Sequence, residues 1–398
     1  MLGNLVSGRD PTLYYHIYNI YLIEQRLTLL PLVSFLFYCN RNSVNLSAER
    51  KKIMDLAERI KSFSDLGEKL RTAVNDRDHS LQLNTLIDNQ HLNNPWFTPE
   101  NVRTAINAIA FELTEENLIK WTGAYPRLKA EIKPVQVGVI MAGNIPLAGF
   151  HDFLSVLISG NYLIAKTSSK DSELIVYIGE MLCSINPGFR NRIEFTSGNL
   201  KGFDVVIATG SNNSSRYFEY YFGKYPNIIR KNRNSIAIID GDETISELEA
   251  LGEDIFLYFG LGCRNVSKIY IPDGYDLTGL VKNWESFAGC ISHQKYANNY
   301  DFNKAVYLVN KEHFYDTGYL LLKEDSNLSS PVSVLNYEYY KSQYAVKQQT
   351  ELLRENIQCI VSRSDTAFGK AQSPHLWDYA DGIDTIEFLL KKNLAGIL

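Results

Sequence analysis

Apolar residues between 54 and 70 (MDLAERIKSFSDLGEKL) recur at Leu56, Ile60, Phe63, Leu66 and Leu70, the three- and four-residue spacing of an amphipathic helix. Downstream, Thr98 before Pro99 reads as the N-cap and first residue of a helix over 98–113, and Thr114 as the cap of a second helix through Trp121. From 135 the period changes. Short apolar runs at 135–141 (VQVGVIM), 162–166 and 203–208 (FDVVIA) predict buried strands, alternating with helices at 147–159, 172–185 and 214–222. Such alternation predicts a parallel α/β sheet with nucleotide sites at the carboxyl ends of its strands. A helix over 245–258 and a β-rich run at 267–272 (SKIYIP) continue it, and strands are expected more loosely at 304–309, 319–323, 332–336 and 357–361.

Composition narrows the class. At 398 residues the chain has room for two domains, and 45% apolar residues, 21% charged residues and a net charge of −5 describe a soluble protein with nothing basic enough to follow nucleic acid. Residues 1–53 differ from the remainder and read as an atypical N-terminal extension, with Met54 a candidate start of the functional unit. Their apolar run, 27–39 (LTLLPLVSFLFYC), is interrupted by Pro31 and is shorter than the roughly 20 residues of a spanning helix. Asp10 and Glu24 precede it, unlike a signal peptide, so no membrane is expected. Five scattered cysteines without a CxxC predict neither a disulfide framework nor a zinc site and fit the cytoplasm. Seven histidines without an HxxxH or HExxH pair predict no metal. Tyrosine-rich stretches at 217–225 (YFEYYFGKY) and 336–344 (NYEYYKSQY) read as half-buried faces or subunit contacts.

Candidate chemistry centres on 258–268 (YFGLGCRNVSK). Cys263 stands between Gly262 and Arg264 on a tight connection between helix and strand, where glycine lets the backbone approach a substrate and Arg264 is expected to favour the thiolate. The alternative is a small apolar residue packed in a turn. Three upstream loops follow predicted strands. In MAGNIPLAGF, Asn144 can donate an amide hydrogen bond as an oxyanion stabiliser, or cap the helix. In AKTSSKDS, Lys166, Thr167, Ser168, Ser169 and Lys170 suit phosphate and ribose, or form a solvated charged loop. In ATGS, Gly210 and Ser211 precede a helix whose N-terminus suits an anion, although no GxGxxG is present.

In the order MAGNIP, AKTSS, ATGS and GLGCR, these segments resemble the aldehyde dehydrogenase superfamily, and 54–398 is most similar to its acyl-CoA reductase family, typified by the fatty acid reductase of bacterial luminescence. The resemblance implies a Rossmann-type parallel-sheet cofactor domain over 54–258, after a helical lead-in, a second α/β catalytic domain carrying the thiol over 259–375, and a helical tail at 376–398. It implies that Asn144 stabilises the oxyanion, that Lys166 holds the adenosine ribose with Ser168 and Ser169 beside it, that Gly210 and Ser211 lie near the dinucleotide, and that Cys263 forms a thioester. It also implies a homo-oligomer and an acyl-activating partner enzyme as a possible donor of the acyl group.

Three departures refine this. Where hydrolytic members carry a glutamate base, this chain aligns 230–236 (RKNRNSI) with Arg230 at the glutamate's place, which favours thiol exchange over hydrolysis. Ser169 replaces a glutamate of NAD-preferring members, and beside Lys166 and Lys170 it would accept a 2′-phosphate, so the expected cofactor is NADPH. The segment SSPVSV around Pro331 lacks a glutamate that relatives carry before Pro-Val. The expected reaction is NADPH-dependent reduction of an acyl-CoA, or of an acyl-enzyme donor, to the aldehyde. The alternatives are a reductase of acyl phosphates or semialdehydes, or a non-catalytic partner of an acyl-transfer enzyme. His151 reads as a proton shuttle or a helix-face histidine.

Overall fold

The computed structural model describes residues 54–76, 82–130 and 133–394. The chain divides into Met1–Ile53 and Met54–Leu398, so the N-terminal extension with its apolar run at 27–39 lies outside the described residues. Four helices lead in: α1 (Leu56–Asp76), α2 (Gln82–Asn93), α3 (Pro99–Glu112) and α4 (Glu115–Gly123). The expected stripe of α1 turns inward and buries Ile60, Phe63, Leu66 and Leu70. Thr98 and Thr114 cap α3 and α4, each hydroxyl accepting the backbone N–H three residues on. Arg59 can be buried because its guanidinium donates to the carbonyls of Ile158 and Met54, which ties α1 to the α/β layer behind it.

The first sheet is parallel, with β1 (Gln136–Ile140), β2 (Tyr162–Lys166), β3 (Ile193–Thr196), β4 (Val205–Thr209) and β5 (Asn227–Arg230) in the order β3-β2-β1-β4-β5. Helices α5 (Phe150–Ile158), α6 (Glu173–Ile185) and α7 (Asn212–Phe222) alternate with its strands. Chain order reverses at β1, which pairs with β2 on one side and β4 on the other. The loops leaving these three strands therefore share the crevice at the sheet's carboxyl edge.

The second sheet holds β6 (Asn234–Ile238), β7 (Val266–Pro272), β8 (Tyr315–Asp316), β9 (Leu321–Glu324), β10 (Val334–Tyr340) and β11 (Ile357–Val361) in the order β11-β6-β7-β10-β9-β8, parallel except between β8 and β9. Around it lie α8 (Ile245–Phe256), α9 (Leu277–Lys282), α10 (Gln294–Asn310) and α11 (Gln343–Leu352). The strand expected at 304–309 is instead the last part of α10. Its short apolar run looks β-like alone, but Tyr296, Tyr300, Asn303 and Tyr307 are buried at helical spacing across the longer segment. The change of sheet falls between Arg230 and Asn234, ahead of the boundary at 258 suggested by the sequence. After Phe368 and Ala371 in the second core, the chain returns to the first, where α12 (Thr385–Leu394) inserts Ile386, Leu389 and Leu390. Among the described residues no helix is long and apolar enough to cross a membrane.

Candidate active site

Helix α8 starts with a capping box formed by Thr244 and Glu247 and ends abruptly, because Tyr258, Phe259 and Gly260 all take left-handed backbone conformations at φ 53°, 58° and 75°. Each side-chain-bearing residue there costs about 1–2 kcal/mol, so contacts must hold the run in place. Tyr258 is buried, and the Phe259 ring lies 4.4 Å from that of His293 and 5.3 Å from that of Trp96. Asn265 completes the turn: its Oδ1 accepts the Gly262 N–H at 2.8 Å, and its Nδ2 donates to the carbonyls of Leu257 at 2.8 Å and Asp254 at 3.1 Å. Those carbonyls belong to the end of α8 and would otherwise lack partners. A methyl group at Gly262 would meet Asn265 Oδ1 at 2.9 Å, so the turn closes only without a side chain there.

The thiol follows. Ser235 Oγ donates to the Cys263 carbonyl at 2.9 Å, while Arg264 Nε donates to the Ala371 carbonyl, whose N–H in turn reaches Asp254 Oδ1 at 2.9 Å. With its backbone fixed from both sides, Cys263 is exposed, whereas Cys183 and Cys290 are half-buried and Cys359 is buried. The cysteine is thus presented, as expected, but its ionisation is not. Burial pushes the thiol above its ordinary range and the Arg264 charge offsets this only in part.

Asn144 lies in the turn between β1 and α5, outside the helix, whose N-cap position is Gly149. Its Nδ2 donates to the Leu261 carbonyl at 2.8 Å, two residues before Cys263. Beside it, Ile145 Cδ1 would be 3.6 Å from a methyl at Gly262, so the turn after β1 touches the thiol turn at two points. On the neighbouring strand Lys166 closes β2, Ser168 bridges to Asp171, and Ser169 and Lys170 are exposed at the tip. On the other side of β1, Gly210 turns out of β4 and Ser211 caps α7, its Oγ accepting the Ser214 N–H at 3.3 Å. A methyl at Gly210 would meet Phe218 at 2.8 Å, so this turn also excludes a side chain. Asn144, Lys166, Ser168, Ser169, Gly210 and Ser211 therefore gather at one edge of the first sheet, and Asn144 reaches across to the Cys263 turn.

Arg230 is elsewhere. It closes β5 as a buried cation paired with Asp152 of α5, and it donates to Thr385 Oγ1 at 3.0 Å. His151 is packed between the rings of Trp121 and Tyr379, with Nε2 at 2.8 Å from the Leu376 carbonyl, and burial pushes its pKa down, as suits the helix-face reading. The tyrosines of α7 (Tyr217, Tyr220 and Tyr221) are exposed, whereas Tyr337, Tyr339 and Tyr340 on β10 are half-buried. Four residues of the site have no motif that announces them: Asn265, Ser235, Asp254 and Asp171. Asp254 also accepts the Gly369 N–H at 2.7 Å, and burial pushes its carboxyl up to about 6. Asn265 in the GCRN turn, Asp171 in AKTSSKDS and Ser235 in RKNRNSI stand within stretches singled out for other residues, and Asp254 lies in the helix before Cys263.

No protein-family model matches the chain. A 217-residue stretch, 50% of the chain, is 26% identical to the long-chain acyl-protein thioester reductase of Aliivibrio fischeri and spans 44% of that protein's length. Among solved structures, aldehyde dehydrogenase 21 of Physcomitrella patens, in complex with succinate, superimposes with a TM-score of 0.57 at 12% identity, covering 86% of this chain and 85% of that one. The NAD+ complex of a Bacillus cereus aldehyde dehydrogenase gives 0.55 at 13% identity over 80% and 74% of the two chains. An NADP-dependent enzyme of E. coli gives 0.57 at 14% over 79% and 74%. The chain has the aldehyde dehydrogenase fold, and the resemblance that its motifs carry to the luminescence-type acyl reductases of that superfamily is borne out by its similarity to the Aliivibrio protein.

Proposed function

We propose that this chain is an acyl-thioester reductase that forms an acyl thioester on Cys263 and releases the aldehyde, with NADPH as reductant. One observation carries the reading: an amide donor from the first sheet, Asn144, reaches to within two residues of the exposed residue Cys263 that the second sheet presents. The Cys263 sulfur gives up its proton and bonds to the acyl carbon, the carbon–sulfur bond of the donor breaks, and the departing thiol takes up the proton. While the carbonyl oxygen carries charge, the Asn144 amide and the Cys263 backbone N–H are the donors that stabilise it. The half-buried Phe259 and Trp96 rings flank the thiol turn with apolar surface suited to an acyl chain.

The cofactor reading rests on the fit of the crevice. Lys166, Ser168 and Ser169 leave β2 where a ribose would lie, Lys170 adds a second cation for a 2′-phosphate, and the Gly210–Ser211 turn presents the N-terminus of α7 to a pyrophosphate. Two of the similar structures are described as an NAD+ complex and an NADP-dependent enzyme. When bound, NADPH supplies the reducing equivalents for the acyl carbon. Because Arg230 is buried in an ion pair rather than offering a base to water, the acyl group is reduced rather than hydrolysed. The donor is acyl-CoA or an acylated partner protein, the latter matching the name of the Aliivibrio relative.

Intact-protein mass spectrometry without nucleotide tests this. After incubation with a long-chain acyl-CoA, wild-type protein gains the acyl mass and Cys263→Ala does not. Asn144→Ala acylates more slowly, by roughly 10²–10³. No adduct from acyl-CoA or acyl phosphate would overturn the proposal.

A further inference from the structure

We infer that Asp171 is a positioning residue, one carboxylate that fastens the turn bearing Asn144 to the turn bearing Lys166; the inference rests on the reading of Asn144 given above. Asp171 closes the small hairpin after β2, its N–H donating to the Ser168 carbonyl at 3.1 Å, and it is 4% exposed. Across the gap, its Oδ2 accepts the Leu147 N–H at 2.7 Å. Leu147 has φ 58°, a left-handed conformation that a leucine holds only when something fixes it, and this hydrogen bond lies at its own N–H.

The same two turns meet again four residues earlier. A methyl at Gly143 would lie 2.3 Å from Ser168 Oγ and 3.4 Å from Asp171 Cβ, so the backbone there is pressed onto the hairpin. The turn after β1 is therefore gripped at Gly143 and at Leu147. Between the grips stand Asn144 and Ile145, the two residues that touch the Cys263 turn. Oδ1 of Asp171 is buried without a partner, and burial pushes the carboxyl's pKa up while the Leu147 N–H offsets this only in part. A buried carboxyl with one hydrogen bond and no counter-charge is an expensive way to satisfy a single N–H. Its placement makes sense if the junction it holds is what matters.

The test uses the full chain and reads two quantities per folded molecule: the rate of acyl-adduct formation on Cys263 from acyl-CoA, and the affinity for NADPH. Asp171→Ala removes the acceptor and is expected to slow acylation by about 10²-fold, since a displacement near 1 Å has effects of that size, while also weakening nucleotide binding. Asp171→Asn keeps an acceptor for Leu147 and restores most of both. A lowered melting temperature with an unchanged acylation rate in Asp171→Ala would show a merely structural role and overturn the inference. Should Asp171→Ala fail to fold, Gly143→Ala decides by forcing the turns apart at the other grip: slowed acylation supports the inference, and a wild-type rate overturns it. Wild-type protein that is acylated and slowed by Asn144→Ala, yet indifferent to Asp171→Ala, sinks the role of Asp171 alone. Wild-type protein that takes no acyl group sinks both.

Discussion

Asn265 illustrates how one side chain can shape the turn that presents Cys263. Its carboxamide serves carbonyls at the end of α8 and the N–H of Gly262, with the Asp254 and Gly262 bonds buried and the Leu257 bond part-buried. Asn265→Ala leaves these groups without partners, and each orphaned buried group costs about 1–3 kcal/mol. Urea denaturation is therefore expected to show a loss of at least that size, and the thiol turn should lose its reactivity even where the fold survives. At this scale, the presentation of Cys263 was legible because small residues around a cysteine signal a tight turn. The direction of its ionisation was not. Arg264 is adjacent in sequence and visible there, while the burial that outweighs it and the opposing charge of Asp381 arise from the tertiary fold.

Between elements, the buried pair of Arg230 and Asp152 joins the end of β5 to α5, and Thr385 brings in the first residue of α12. Removing one partner strands the other charge in the interior. Arg230→Met is expected to destabilise the protein by about 3–5 kcal/mol, and replacing both partners by apolar residues to recover much of that loss. Thermal unfolding of the single and double variants measures this. Sequence periodicity found β1, β2 and β4, continuous apolar runs buried on both faces, as at Val205 and Val206, but not the edge strands β3 and β5, which are four residues long and only partly buried. It failed at 304–309, where a short β-branched run sits inside a long helix of low amphipathic contrast. The sequence offered no hint of Arg230's partners, because an ion pair between residues 152 and 230 has no local signature.

Across the whole molecule, two buried carboxyls respond to pH with a sign opposite to that of the paired surface carboxylates. Burial holds the Asp171 carboxyl up to about 7 and that of Asp254 up to about 6, from an ordinary value of 3.8. Both bind a proton more readily folded than unfolded, so their contribution is full below about 3.8 and is lost as the pH rises through about 6 and 7. His151, lowered by burial, acts in the opposite direction. The difference between wild type and Asp171→Asn isolates one group: the wild-type urea midpoint should decline relative to the variant between about pH 4 and 8. A constant difference across that range would refute the assignment.

The first lobe opens with α1 and is completed only by Ile386, Leu389 and Leu390 of α12, on the far side of the whole thiol lobe. During synthesis the crevice of the first sheet therefore has part of its core uncovered until α12 emerges, while the second sheet, contiguous from Asn234 to Val361, is complete earlier in the chain. The turn that carries Cys263 therefore has its own sheet complete in the chain before the first lobe has all of its core.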